Sequence, residues 1–185
     1  MKKITSLLLA ALLVLSLTAC GGGKTTGAEQ PADPLELLET VWRAYGKSEK
    51  FSAVGGDYEN PVEDAPGKVN TADAENLNYM LSLPVDSAAL VTAAASLTHM
   101  MNANTFTCGA FQAAQEGDAG KLAAALREGI QTREWMCGFP DKLVIFTMGN
   151  FVVSVYGDAD LVNTFRDKLQ SCYSGAAIAY EENIL

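Results

Sequence analysis

Hydrophobic and polar positions change period several times along this chain, and each change marks an element. Leu35, Leu38, Val41, Trp42 and Tyr45 recur at helical spacing. Asp33 stands at the N-cap of that run, Pro34 at the first helical position and Glu36 at the third, and Gly46 follows it. A capping box, a proline at the first turn and a glycine stop together predict a helix. Residues 47–70 carry neither the helical nor the strand period. Gly55-Gly56-Asp57-Tyr58, Asn60-Pro61 and Pro66-Gly67 are turn signals, so a long irregular segment is expected there. Such a loop inside a compact domain usually carries function or wraps a surface. Two short helical stretches follow near 72–81 and 86–92, separated by Pro84.

From Ala94 onward the pattern favours strands. Ser96 to Met101 and Thr105 to Ala114 are the first two. Asp118 then precedes a helix with Leu122, Leu126 and Ile130 on one stripe. Leu143 to Met148 and Phe151 to Tyr156 are β-rich runs joined by Gly149-Asn150, a two-residue hairpin signal. Asp158 or Asp160 opens a further helix with Leu161, Phe165, Leu169 and Cys172 on one face, and Ala176 to Tyr180 is a last strand. The order from 105 is β-α-β-β-α-β. With right-handed crossovers it predicts an α+β domain built as a ferredoxin-like sandwich, an antiparallel sheet with two helices on one face. The expected organisation is a signal over 1–19, a flexible tether over 20–33 and one domain over 34–185. Within that domain, 34–93 is expected to be helical and irregular, and 94–185 to form the sandwich.

The amino terminus changes the picture most. Lys2 and Lys3 precede an apolar stretch from Ile4 to Leu17, which is followed by Leu17-Thr18-Ala19-Cys20 and Gly21-Gly22-Gly23. A basic start, a short apolar run and a cut before cysteine form the pattern of a bacterial lipobox. The apolar run is shorter than the roughly 18 to 20 residues a spanning helix needs. The expected mature protein starts at Cys20, carries lipid on that thiol and sits on the extracytoplasmic face of the cell membrane. Two acyl chains on one cysteine give firm anchoring, where a single chain gives only reversible binding.

Charge and cysteines narrow the function. The chain has 13 Lys and Arg against 22 Asp and Glu, a formal charge of −9, and loss of Lys2 and Lys3 makes the mature part more acidic. Nucleic acid is excluded as a partner, because phosphate contacts need an excess of Lys and Arg. With Cys20 reserved for lipid, Cys108, Cys137 and Cys172 remain. No two are in a Cys-x-x-Cys spacing, so neither a zinc knuckle nor a thioredoxin-type site is indicated. Three thiols allow at most one internal disulfide, and each also suits the role of a small buried apolar side chain.

No catalytic residue, metal or cofactor is assigned. His99 is the single histidine and stands among apolar neighbours, which favours a hydrogen-bonded structural role. Asp57, Glu59, Asn60, Glu63 and Asp64 crowd oxygen ligands together, yet their spacing does not match a calcium loop and Pro61 interrupts it. Met100 and Met101 are expected in the core. Arg133, Trp135, Met136 and Phe139 form the candidate partner surface, since these residue types are enriched at interface cores. For Trp135 and Phe139, simple closure of one end of the sheet competes with that role.

The lipobox, the segment from Val69 to Leu83, the stretch His99-Met100-Met101-Asn102-Ala103-Asn104-Thr105-Phe106 and the stretch Trp135-Met136-Cys137-Gly138-Phe139-Pro140 together resemble a family of uncharacterised lipoproteins of Gram-positive gut bacteria. Some of its members carry the label bacteriocin transport accessory protein. The resemblance covers most of the mature chain. It implies a lipid anchor and a link to peptide export, and it brings no catalytic residues. Proteins bearing that label elsewhere are thioredoxin-like and use a Cys-x-x-Cys pair; here Cys137 is followed by Gly138-Phe139-Pro140 and no second cysteine.

The leading expectation is a membrane-anchored, non-enzymatic binding or accessory module with an unidentified protein or peptide partner. A surface thiol-dependent enzyme using Cys137 and a structural envelope component are the alternatives. Cys20→Ala should leave the precursor uncleaved and abolish incorporation of a fatty-acid probe into the protein; a wild-type protein that takes up no probe would remove the anchor.

Overall fold

The computed structural model describes residues 30–115, 117–136 and 138–184. The signal, the lipobox with Cys20 and most of the tether, as well as Cys137, lie outside the described residues. The elements are α1 (Pro34–Arg43), β1 (Ala53–Gly56), β2 (Pro61–Glu63), β3 (Gly67–Val69), α2 (Ala74–Leu81), β4 (Val91–His99), β5 (Phe106–Ala113), α3 (Ala119–Gln131), β6 (Lys142–Met148), β7 (Phe151–Gly157), α4 (Ala159–Cys172) and β8 (Ala177–Asn183). Short 3₁₀ turns occupy Val85–Leu90 and Ala103–Thr105. No described helix is long and apolar enough to cross a membrane.

The protein is α+β, with one eight-stranded sheet in the order β2-β1-β4-β5-β7-β6-β8 and β3 also paired to β4. Every pairing is antiparallel. β1 pairs with the end of β4 (Ala53 opposite His99) and β3 with its middle (Val69 opposite Ala94), so the two short strands lie end to end along one edge of β4. The segment expected to be irregular therefore contributes three strands. They are three or four residues long and contain Gly55, Gly56 and Gly67, so no alternation can show in the sequence.

The β-α-β-β-α-β order after residue 105 is present, but the expected two helices on one face are not. α1 and α4 pack on one face of the sheet, through Leu38, Val41, Phe165 and Leu169. α2 and α3 pack on the other, through Leu77, Leu81, Leu122 and Leu126. The reason lies in strand order. In a ferredoxin-like sandwich the last strand would add beside β5, but β4 already holds that place through seven paired positions. β8 adds beside β6 instead. The crossovers β5–α3–β6 and β7–α4–β8 then advance in the same direction across the sheet from oppositely directed strands. Two crossovers of one hand can do this only with their helices on opposite faces. The central strands are buried on both sides as a result; every residue of β7 is buried.

Local signals set the ends of the elements. Asp33 Oδ1 accepts from Glu36 N at 2.8 Å, and Glu36 Oε2 accepts from Ala32 N at 2.7 Å, so the predicted capping box forms one residue wide of its ideal closure. The helix ends at Arg43, before the expected glycine. Asp158 caps α4 by accepting from Asp160 N and Leu161 N. Asp118 occupies the N-cap position of α3, but its carboxylate turns to Lys121 Nζ at 2.8 Å rather than capping the helix. Gly149 has a φ of 59° and Asn150 has no positive φ, the pattern of a II′ hairpin with glycine at its first central position.

The edge strand β8 is clamped from both faces by charge. Glu181 Oε1 meets Lys142 Nζ at 2.5 Å and Arg166 Nη1 at 2.7 Å, on the α4 side. Its neighbour Glu182 takes Arg127 Nε of α3 at 2.8 Å. Lys142 holds the Glu181 carboxyl below the usual range, and Arg127 does the same for Glu182. Carboxylates with depressed folded pKa values stabilise above their unfolded pKa, and the contribution fades as pH falls through the folded value. Exposed pairs of this kind contribute little individually, enough to govern a local opening but not the whole fold. In the double variant Glu181→Gln/Glu182→Gln, amide protection along β8 should drop several-fold at pH 7 while protection in β5 and β7 stays unchanged. Acidification of the wild-type protein should reproduce that local loss.

Candidate functional site

One end of the sheet carries a groove of about 410 Å³, where β4 and β7 end and β5 begins. Val54 and Gly56 form its β1 side, Thr98 and His99 its β4 side, Tyr79 and Met80 come from α2, and Arg133 and Trp135 from the segment after α3. Volume and lining both suit a ligand site, since such sites are mostly apolar with a few convergent polar groups.

Three hydrogen-bonded centres hold its walls. The first is Asp57, 5% exposed. Its Oδ1 accepts from the backbone N–H of Glu59 and Asn60, at 3.1 and 2.9 Å, and its Oδ2 accepts from Asn70 N at 2.9 Å. These bonds tie the turn after β1 to the chain leaving β3. The turn also needs Gly56: its φ is +83°, and a Cβ there would collide with the carbonyl of Asn60. The second centre is Arg133. Its Nη1 donates to Ser82 Oγ at 2.7 Å and to Asn78 O at 3.3 Å, and its Nη2 donates to Tyr79 O at 2.8 Å. A cation thus caps the carbonyl end of α2, where the helix dipole favours it. Ser82, in a left-handed conformation with φ 58°, lies 3.4 Å from Tyr156 Oη of β7. Gly129 of α3 packs so tightly on the Ser82 carbonyl that any Cβ would overlap it. The third centre is Trp42, whose Nε1 donates to Asp64 O at 2.9 Å and pins the β2–β3 turn to α1.

The groove surface is aromatic and sulfur-rich. Trp135 packs on Tyr156 with ring centroids 5.3 Å apart, and the Arg133 guanidinium sits 5.3 Å over the indole. Tyr58 and Tyr79 face each other at 5.9 Å. The indole N–H of Trp135 is buried and meets no acceptor among the described residues, an arrangement that costs about 1–3 kcal/mol. Met100 and Met101, expected in the core, line the groove and are exposed, Met101 by 82%. They follow the last residue of β4, so the sheet no longer covers them.

The four residues of the candidate partner surface divide between two positions. Arg133 and Trp135 are walls of the groove. Met136 and Phe139 stand bare beside it, 89% and 77% exposed. Gly138 O between them accepts from Asn104 Nδ2 at 2.9 Å, which ties this segment to the groove's β4–β5 side. Tyr58, Tyr79 and Met80 belong to the site and were not singled out in the sequence. Only the turn signals around Asp57 pointed to one of these segments.

His99 ends β4. Its ring stacks on Phe51 at 5.5 Å, and its Nδ1 accepts from Met101 N at 3.3 Å. No group of three or more His, Cys, Asp or Glu side chains able to hold a metal ion occurs among the described residues. Both Asp57 oxygens are taken by N–H donors. Cys108 is a buried free thiol inside the core and Cys172 a half-buried one on α4. Burial pushes both thiols up, away from the thiolate that nucleophilic chemistry needs.

Comparison with protein-family models, curated proteins and solved structures gives no match for this chain.

The N–H groups gathered on Asp57, that of Asn70 foremost, hold its carboxyl below the ordinary range. The depressed folded pKa means that its contribution is complete above the unfolded pKa and lost as pH falls through the folded one. Asp57→Ala should cost about 2–3 kcal/mol in denaturant unfolding at pH 7, as expected for a buried, multiply hydrogen-bonded charged acceptor. The deficit against wild type should shrink toward zero as pH drops below 4; a deficit independent of pH would show that the carboxylate is not the acceptor.

Proposed function

We propose that this chain is a membrane-anchored extracytoplasmic lipoprotein whose domain is a non-enzymatic binding module, and that the groove at the end of the sheet is where it binds. The link to peptide export implied by the resemblance is part of this reading. The observation that carries it is the concentration of bare apolar side chains at one end of the molecule. Tyr58, Tyr79, Met100 and Met101 on the groove, with Met136 and Phe139 beside it, are all exposed. Monomeric proteins seldom leave so many large apolar groups contiguous without a partner.

Placement supports the same reading. The described chain starts at Gln30, whose side chain lies against Gly149 in the β6–β7 turn. The groove lies at the other end of β7, beside Tyr156. Seven strand residues separate the two ends, about 20 Å at strand rise. Lipid on Cys20 would therefore enter the domain at the hairpin end, the end opposite the groove, and leave the groove mouth clear of the point of attachment.

The test is photo-crosslinking in intact cells. A benzophenone side chain at Tyr79, in the mouth of the groove, should form an adduct. The same probe at Asn150, at the opposite end, should form none, and Cys137→Ser should leave the Tyr79 adduct unchanged. Equal crosslinking at the two ends, or loss of the adduct in Cys137→Ser, would overturn the binding module and favour the thiol enzyme.

A further inference from the structure

The groove's apolar lining sets a minimum requirement for its ligand, and the charges around it set the rest. This inference rests on the groove being the binding site. Arg133 is the one Lys or Arg among the lining residues. Its donors are already engaged by Asn78 O, Tyr79 O and Ser82 Oγ, and its face is stacked on Trp135. It has little left with which to recruit an anion. The rim has the opposite charge. Glu59 follows Tyr58, Glu134 precedes Trp135, and Glu63 is the cross-strand partner of the groove residue Val54. All three are exposed, and none forms an ion pair with another described residue. The whole chain carries −9, so its long-range field attracts cations to the molecule in general.

Two features separate a peptide from a purely hydrocarbon ligand. The buried indole N–H of Trp135 has no acceptor among the described residues, and a backbone carbonyl that reached it on docking would satisfy it where an acyl chain could not. The walls are also built from methionines and tyrosines. Methionine is unbranched and re-packs around varied side chains, and tyrosine offers large contact area at low entropic cost.

We propose that the groove binds a basic peptide, which seats a bulky apolar side chain against Trp135 between Tyr79 and Met101 and lays its flanking lysines or arginines over Glu59, Glu63 and Glu134.

The experiment uses the full lipidated protein in zwitterionic nanodiscs, with empty discs titrated in parallel, and ¹⁵N labels on its two tryptophans, Trp42 and Trp135. The probe is a synthetic nonapeptide with a central Phe-Leu pair and two lysines at each end. It should move the Trp135 indole resonance and leave that of the buried Trp42 in place. Its affinity should fall about tenfold between 50 and 300 mM salt, as screening predicts for charge-assisted docking. Serine in place of the Phe-Leu pair should abolish the shift. Glutamates in place of the lysines should weaken binding at least tenfold. Glu59→Gln/Glu63→Gln/Glu134→Gln should remove most of the salt dependence, and Tyr79→Ala should weaken binding without loss of thermal stability; both variants alter exposed side chains. Equal binding of the lysine and glutamate peptides, or no shift of Trp135 with any peptide, would overturn the inference. Neither result touches the cellular crosslink from Tyr79, so the binding module would survive with a ligand of other chemistry. Loss of that crosslink as well would remove both.

Discussion

The pairing of β4 with β5 is the constraint on which the rest of the structure depends. Six positions in register, from Thr98 opposite Thr107 to Ala93 opposite Gln112, and a seventh, Val91 opposite Ala113, beyond a register shift close off one side of β5. β8 can then pair only beside β6, and a crossover of constant hand sends α4 to the face that α3 does not cover. A sheet covered on both sides must be apolar on both sides. β5 and β7 meet that demand with Phe106, Cys108 and Ala110 toward α1 and α4, and with Phe111 and Val152 toward α2 and α3. Cys108 owes its burial to this geometry: the thiol serves as a small apolar filler in the centre of a two-sided core.

The same constraint creates the groove. The β4–β5 connection at residues 100–105 has to emerge at the sheet end where α2 and α3 also finish, so the carbonyl end of α2, the exit of α3 and the last residue of β7 converge there. Convergence of chain ends leaves unpaired backbone groups, and polar side chains take them up. Arg133 serves α2, Asp57 serves the turn after β1, and Ser82 joins α2 to Tyr156. Once those groups are satisfied, the surface left over is aromatic ring and thioether. The groove is thus a by-product of how three elements end, made rigid underneath by hydrogen bonds and left soft on top by methionine.

Legibility in the sequence followed the range of the interactions. Elements set by local chemistry were readable: the Asp33 cap, the Gly149 turn, the helical stripe of α3 and the run of strands after residue 105. Strand order was not, because it depends on which edge β4 occupies, a contact between distant segments. One signal did bear on it. Leu143-Val144-Ile145-Phe146 and Phe151-Val152-Val153 do not alternate, and unbroken apolar runs indicate a sheet buried on both faces rather than one. β1 and β3 were invisible for a different reason: glycine carries no side chain with which to show a period. The site was half legible. Arg133, Trp135, Met136 and Phe139 stand out by residue type, whereas Tyr58 and Tyr79 are brought opposite them by the fold alone.

The acidic surface and the apolar groove have a common physical logic. A domain that leaves Met101, Met136 and Phe139 bare on one end invites its own copies to associate through that end. A net charge of −9 opposes such encounters by mutual repulsion, and the exposed Glu59, Glu63 and Glu134 place part of that charge around the apolar surface. For the proposed basic peptide, such a rim would filter as well as attract. A second copy of the chain brings like charge to the contact, whereas a basic segment brings the complement. Discrimination of that kind comes from a repulsive element as much as from a favourable one. It lets a sticky surface stay open in solution without a lid, which the described residues near the groove do not supply.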